Sequence, residues 1–299
     1  MRIGITGASG FIGAAFSKLA LGTGHEVIAY TRRSSSSIPL PTQTLHQPAG
    51  SPHALPETRL DVLVHLAGEP LMGLWTKAKR ARISQSRVDL TRDLVTHLST
   101  WQSQNRPQVL LCASGIGFYG SRGDKVLDES SPRGSGFLAE ICVGWEAAAR
   151  EAAALGIRVL HLRTGMVLGV EGGAYPLLRR VFRLGLGGRL GCGRQWLSWI
   201  HVQDQASLML WAMENEQVSG GLNLCAPNPV TNASFTRQLA RSLHRLAILP
   251  VPAFALRLLL CGMADEMLLC SQRAIPRAAT DLGYRFAYPE LADALTSLS

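Results

Sequence analysis

The chain has 299 residues, 46% of them hydrophobic and 17% charged, which supplies a core for one large or two moderate domains and excludes a disordered or fibrous protein. Thirty glycines and 15 prolines without a period exclude collagen-like and low-complexity architectures. Thirty basic residues against 21 acidic ones give a net charge of +9, nearly all from arginine, because Lys18, Lys77, Lys79 and Lys125 are the only lysines. No basic run exceeds two residues, so the charge reads as a solvated surface or a recessed phosphate site rather than a polycationic tail. Dispersed charge without an interleaved aromatic platform argues against nucleic acid as a partner.

In chain order, residues 2–6 predict a β-strand, 11–21 a helix and 26–31 a second strand, which is a βαβ unit. Residues 34–56, with SSSSIPLP and further prolines, predict a loop. The apolar run 61–68 predicts a parallel strand buried on both faces. A helix over 77–103, a strand over 108–114, a helix over 137–155 and a strand over 157–163 continue the alternation, and a further helix is expected over 204–215. The fold class that follows is α/β, a Rossmann-like doubly wound parallel sheet. Residues 1–165 are expected to form the cofactor domain, and 166–299 a smaller C-terminal substrate-side lobe packed in the same unit.

The six cysteines show no C-x-x-C pair and no histidine at ligand spacing, which argues against a metal site and against a disulfide framework. The N-terminal sequence MRIGITGASG lacks the features of a signal peptide. The apolar stretch 246–263 is broken by Pro250, Pro252 and Arg257, so no membrane span is expected. A cytoplasmic protein without a membrane partner is the expectation.

The segment TGASGFIG places Gly7, Gly10 and Gly13 three residues apart between the first strand and the first helix, with Ser9, Phe11 and Ile12 between them. Such a turn sets unpaired helix amides against a pyrophosphate, and the last glycine lets helix and strand approach closely. The second strand ends in Thr31, Arg32 and Arg33, with no carboxylate between Glu26 and Glu57. A hydroxyl and a cation there suit an adenosine 2′-phosphate, so NADP(H) is the expected cofactor.

The series TGASGFIG, HLAGEP (65–70), ASGIGFYG (113–120), LRTGMVLG (162–169) and WIHVQD (199–204) resembles the extended short-chain dehydrogenases/reductases over nearly the whole chain. WEAAA (145–149), WLSWIHVQD and the tail from Pro252 to Pro276 make it most similar to the atypical nucleoside-diphosphate-sugar epimerase-like, YfcH-type group. The resemblance implies that Leu66, Ala67 and Gly68 line the adenosine and ribose side of the groove. It implies that Arg87 lies near the dinucleotide and that the Thr164, Gly165 and Met166 turn packs at the nicotinamide end. The implied substrate is a small molecule with a carbonyl, a nucleotide sugar or another phosphorylated compound.

The family's usual proton shuttle is a tyrosine four residues before a lysine, whose ammonium lowers the phenol pKa. None of the five tyrosines here has that lysine, and the WEAAA alignment puts Leu138 and Cys142 at the two positions. No catalytic residue is assigned. Tyr119, Glu140, Cys142 and His201 are candidate proton donors, each with a structural alternative, while Arg179, Arg180, Arg183, Arg189 and Arg194 form either a solvated face or the candidate contacts to an anionic substrate. Two functions fit: an NADP(H)-dependent oxidoreductase or epimerase, or a non-enzymatic NADPH-binding sensor.

Overall fold

The computed structural model describes residues 1–31, 43–46 and 55–299. The chain opens with β1 (Arg2–Thr6), α1 (Phe11–Gly22) and β2 (Glu26–Thr31), at the expected places. A short strand, β3 (Gln43–His46), then pairs parallel with β2 inside the stretch expected to be loop. Four residues paired on one side at a sheet edge need no apolar alternation, so the sequence carried little sign of it.

Next come β4 (Val62–His65) and two helices, α2 (Lys77–Ser84) and α3 (Leu90–Ser99), joined by one π-helical turn over Gln85–Asp89. Thr76 caps α2 by accepting from the Lys79 amide at 3.1 Å. After β5 (Val109–Gly115) and the short β6 (Val126–Leu127), α4 (Phe137–Arg150) leads to β7 (Arg158–Thr164) and β8 (Met166–Leu168). The remainder comprises α5 (Tyr175–Arg183), β9 (Trp196–Leu197), β10 (Trp199–His201), α6 (Val202–Glu214), β11 (Gly220–Leu224), β12 (Val230–Thr231), α7 (Asn232–Ser242), α8 (Ala253–Leu260), β13 (Arg273–Ala274), α9 (Arg277–Asp281) and α10 (Leu291–Ser297).

Seven strands form one parallel sheet in the order β11-β7-β5-β4-β1-β2-β3. The order reverses between β1 and β4, the switch point at which doubly wound sheets leave a crevice beyond their carboxyl ends. Alternation along the buried strands feeds two cores. Ile3, Ile5, Val62 and Val64 face α1 and α6, whereas Leu63, Leu110 and Cys112 face α3 and α4. The sheet does not stop at residue 165, because β11 supplies its edge strand and pairs with β7. A third core around Trp199, Phe235 and Leu239 joins α5, α7 and α10, and the β8–β10 pair ties it to the sheet. Among the described residues no helix is long and apolar enough to cross a membrane, and no group of acidic, histidine and cysteine side chains is placed to hold a metal.

Candidate functional site

The turn after β1 is built by glycines for steric reasons that the geometry makes explicit. Gly7 has φ +76°, and a Cβ there would lie 3.0 Å from the Leu66–Ala67 peptide at the end of β4. A Cβ on Gly13 would lie 2.3 Å from the Gly7 carbonyl oxygen. The Gly10 amide donates to that oxygen at 2.9 Å, and Gly10 then caps α1 with extended backbone and no side chain. The first helical bond joins the Ala14 amide to the Gly10 carbonyl, so the Phe11, Ile12 and Gly13 amides precede the ladder at the positive end of the helix dipole. The first turn has no acidic side chain, and Ser9 and Gly10 are exposed. This is a cradle of the shape and polarity that a pyrophosphate requires. The Phe11 ring is anchored from the far side of the chain, since Cβ atoms on Gly169, Gly172 or Gly173 would lie 2.6 to 3.1 Å from it.

Beside the cradle, Leu66 and Ala67 are half-buried and Gly68 is exposed. Arg87 lies in the π-turn between α2 and α3, buried, and donates to the Glu69 carbonyl at 3.0 Å and to Ser86 Oγ at 3.3 Å. A Cβ on Gly68 would sit 3.5 Å from its guanidinium, which also lies 5.2 Å from the Trp145 ring centroid. Burial lowers its pKa from the usual arginine value. Its contacts brace the loop that follows β4 and involve no acidic side chain. Thr31 ends β2, while the side chains of Thr31, Arg32 and Arg33 lie outside the described residues. Met166 opens β8, half-buried, with its amide donating to the Ser198 carbonyl at 2.9 Å.

The other half of the groove is lined by apolar and thiol side chains. Leu138 and Cys142 lie one turn apart on the face of α4 turned towards the end of β5: a Cβ on Gly117 would be 3.1 Å from Leu138 Cβ, and one on Gly115 would be 3.8 Å from Cys142 Sγ. Burial pushes the Cys142 thiol up to about 11, so it stays a neutral thiol at pH 7. Trp75, Phe137, Ile141 and Met263 surround this end of α4, and Glu266 caps it, accepting from the Phe137 and Leu138 amides at 2.9 and 3.2 Å.

Below lies a buried polar network that the sequence did not reveal. Glu146 accepts two hydrogen bonds from Arg163, both at 2.9 Å, and a third from Ser114 Oγ at 2.8 Å. Arg163 donates also to Tyr119 Oη at 3.0 Å, and Tyr119 donates to Asn223 Oδ1 at 2.7 Å. Burial works against the Arg163 charge, but the hydrogen-bonded Glu146 carboxylate outweighs it and holds the pKa above the ordinary arginine value. Charged residues inside the apolar runs VGWEAAA and RVLHLRT were the available signal.

The candidate proton donors keep their structural alternatives. Tyr119 is fully buried, and burial pushes its phenol up to about 12. Glu140 is exposed on α4. His201 caps α6 by accepting from the Gln203 amide and stacks on Tyr288 at 4.1 Å, with burial pushing it down to about 4. Arg179, Arg180 and Arg183 line an open cleft of about 270 Å³ with Val170, Pro176 and Leu184. Arg189 and Arg194 are exposed on the following loop.

The NAD dependent epimerase/dehydratase family matches residues 3–225, and a domain of unknown function, DUF1731, matches residues 251–298. An epimerase family protein of Mycobacterium bovis, Mb2239, is 38% identical over 298 residues, covering 98% of this chain and 96% of its own. The crystal structure of human epimerase family protein SDR39U1 with NADPH superposes with a TM-score of 0.89 at 32% identity, covering 100% of this chain and 99% of the human one. A nucleoside-diphosphate sugar epimerase structure from Corynebacterium glutamicum gives a TM-score of 0.78 at 34% identity over 100% of this chain and 58% of that one.

Proposed function

Because the chain belongs to the NAD dependent epimerase/dehydratase family, we propose that it binds NADP(H) across the ends of β1 and β4. It acts there as an oxidoreductase or epimerase-like enzyme on a small carbonyl compound, a nucleotide sugar or another phosphorylated molecule. The observation that carries this reading is the cradle at Gly7, Gly10 and Gly13, where any Cβ on Gly7 or Gly13 would fill space against the backbone. The NADPH bound to the human relative supports the cofactor. When bound, NADP(H) supplies or accepts a hydride. The Phe11, Ile12 and Gly13 amides hold the pyrophosphate beside Ser9, Gly10 and Gly7 shape the turn beneath it, and Leu66, Ala67 and Gly68 line the adenosine side over Arg87. Thr31 and Arg32 meet the 2′-phosphate, and Met166 packs at the nicotinamide end. We assign the cofactor to residues 1–165 and the substrate side mainly to 166–299.

A second reading, an NADPH sensor without turnover, is favoured by one observation: Leu138 and Cys142 occupy the helix face where a proton shuttle would stand. The experiment is mass spectrometry of small molecules carried by the purified protein, followed by NADPH oxidation with a panel of carbonyl compounds and nucleotide sugars. Substrate-dependent oxidation supports the enzyme, whereas binding without turnover across the panel supports the sensor. Arg32→Ala is expected to weaken NADPH binding tenfold or more and NADH binding less than twofold, as for a lost charged hydrogen bond of about 1.5–3 kcal/mol. Equal losses in a titration of the two nucleotides would remove the 2′-phosphate assignment.

A further inference from the structure

The excess charge of this protein is concentrated in two segments. Residues 172–203 and 217–264 contain no Asp or Glu and nine arginines, and the remaining 21 basic residues are matched by the 21 acidic ones. These segments are stitched together: the Val251 amide donates to the Arg189 carbonyl at 2.9 Å, the Gly191 amide to the Val251 carbonyl at 2.8 Å, and Arg245 Nε to the Arg183 carbonyl at 3.1 Å. Among the described residues, the one ion pair formed by these nine arginines is Arg257 with Asp265, on the surface.

The same two segments hold nine of the fifteen large apolar side chains that stand exposed among the described residues. Leu184 and Leu186 lie just after α5, Leu246 and Ile248 protrude from the loop before α8, and Phe254 and Leu258 from α8 itself. α8 turns Leu256 and Leu260 inwards, which satisfies its packing, while Phe254 and Leu258, one turn apart, are 72% and 79% exposed with Arg257 beside them. An isolated exposed leucine needs no explanation, but a contiguous apolar and basic surface does.

We propose that this surface, formed by the end of α5, the 246–250 loop and α8, docks onto an anionic phospholipid surface without crossing it. A second copy of the chain is disfavoured as the occupant, because face-to-face association would bring two acid-free arginine clusters together. A bilayer interface asks for protruding apolar side chains ringed by cations, and that is what the two segments offer. The expectation of no membrane partner rested on the lack of a spanning stretch, which does not bear on a peripheral surface.

The test is cosedimentation of the full chain with vesicles of phosphatidylcholine alone and of phosphatidylcholine with about one third phosphatidylglycerol. Binding to the anionic vesicles is expected to be tenfold or more stronger and to fall with salt, each arginine near the surface contributing roughly fivefold. Phe254→Glu with Leu258→Glu, both on exposed positions, should lower it at least tenfold while the thermal unfolding midpoint is unchanged, and Arg180→Gln with Arg183→Gln should weaken it and flatten its salt dependence. Absence of binding by the folded wild-type chain to anionic vesicles overturns the proposal. So does undiminished binding by a folded Phe254→Glu, Leu258→Glu protein, which would mark simple adsorption of charge. A dimer in sedimentation velocity that Leu258→Glu dissociates would assign the surface to a second copy instead.

Discussion

The two halves of the groove above the sheet differ in where their polar groups point. Around β1 and β4, the helix amides of Phe11, Ile12 and Gly13 precede the α1 ladder, and Ser9, Gly10 and Gly68 are exposed. Around β5, α4 and β7, Ser114, Glu146, Arg163, Tyr119 and Asn223 bind one another out of water. An anionic ligand can join the first half without displacing an internal bond. Chemistry at the second half would have to disturb a bidentate ion pair or pass through Leu138 and a neutral Cys142. The carboxyl end of one sheet therefore carries an open binding half and a closed scaffold half, and family membership alone does not distinguish them.

The largest expected effect breaks the closed half. Glu146→Ala leaves Arg163 buried without its carboxylate and should cost about 3–5 kcal/mol in urea unfolding. A loss below about 1 kcal/mol would contradict a locked network. Next is pH. Burial pushes His161 down to about 4 from 6.5, so the unfolded chain takes up a proton at a pH where the folded one does not. Stability is complete above pH 6.5 and falls by up to about 3 kcal/mol as pH drops towards 4. His201 adds to the slope in the same direction. His161→Gln should flatten the measured dependence of unfolding free energy on pH, and an unchanged slope would place the titration elsewhere.

A smaller change sharpens the open half. Gly13→Ala forces a Cβ to 2.3 Å from the Gly7 carbonyl oxygen, costing about 1–3 kcal/mol of stability and at least tenfold in NADPH affinity. Gly22→Ala, which meets nothing within 4 Å at the other end of the same helix, is the control and should leave both nearly unchanged. Equal effects from the two substitutions would mean that the turn is not shaped for a ligand.

The open half was legible in the sequence because its requirements are local. Glycine spacing, a short apolar strand before it and an apolar helix after it all fall within β1, α1 and β2, and their placement follows within a residue. The closed half was not legible, because Glu146, Arg163 and Asn223 sit on α4, β7 and β11 and meet only when β7 and β11 pair and α4 packs on the sheet. Arg87 illustrates the same limit: the resemblance puts it near the dinucleotide, but its burial under the β4 loop depends on the π-turn and Gly68, which no local pattern announces. β11 and β3 were missed as sheet strands for different reasons. The first is separated from β7 by more than fifty residues of lobe, and the second is too short to show a period. His201 lies at the end of a strand motif, and its role as a helix cap depends on where α6 begins.

Hydrogen exchange with and without saturating NADPH tests the division between the two halves most directly. The amides of residues 11–13 and 67–68 should gain protection when the nucleotide binds, while those of residues 143–149 on α4 should exchange as they do without it. Saturation by NADPH with no protection at residues 11–13 would contradict the account.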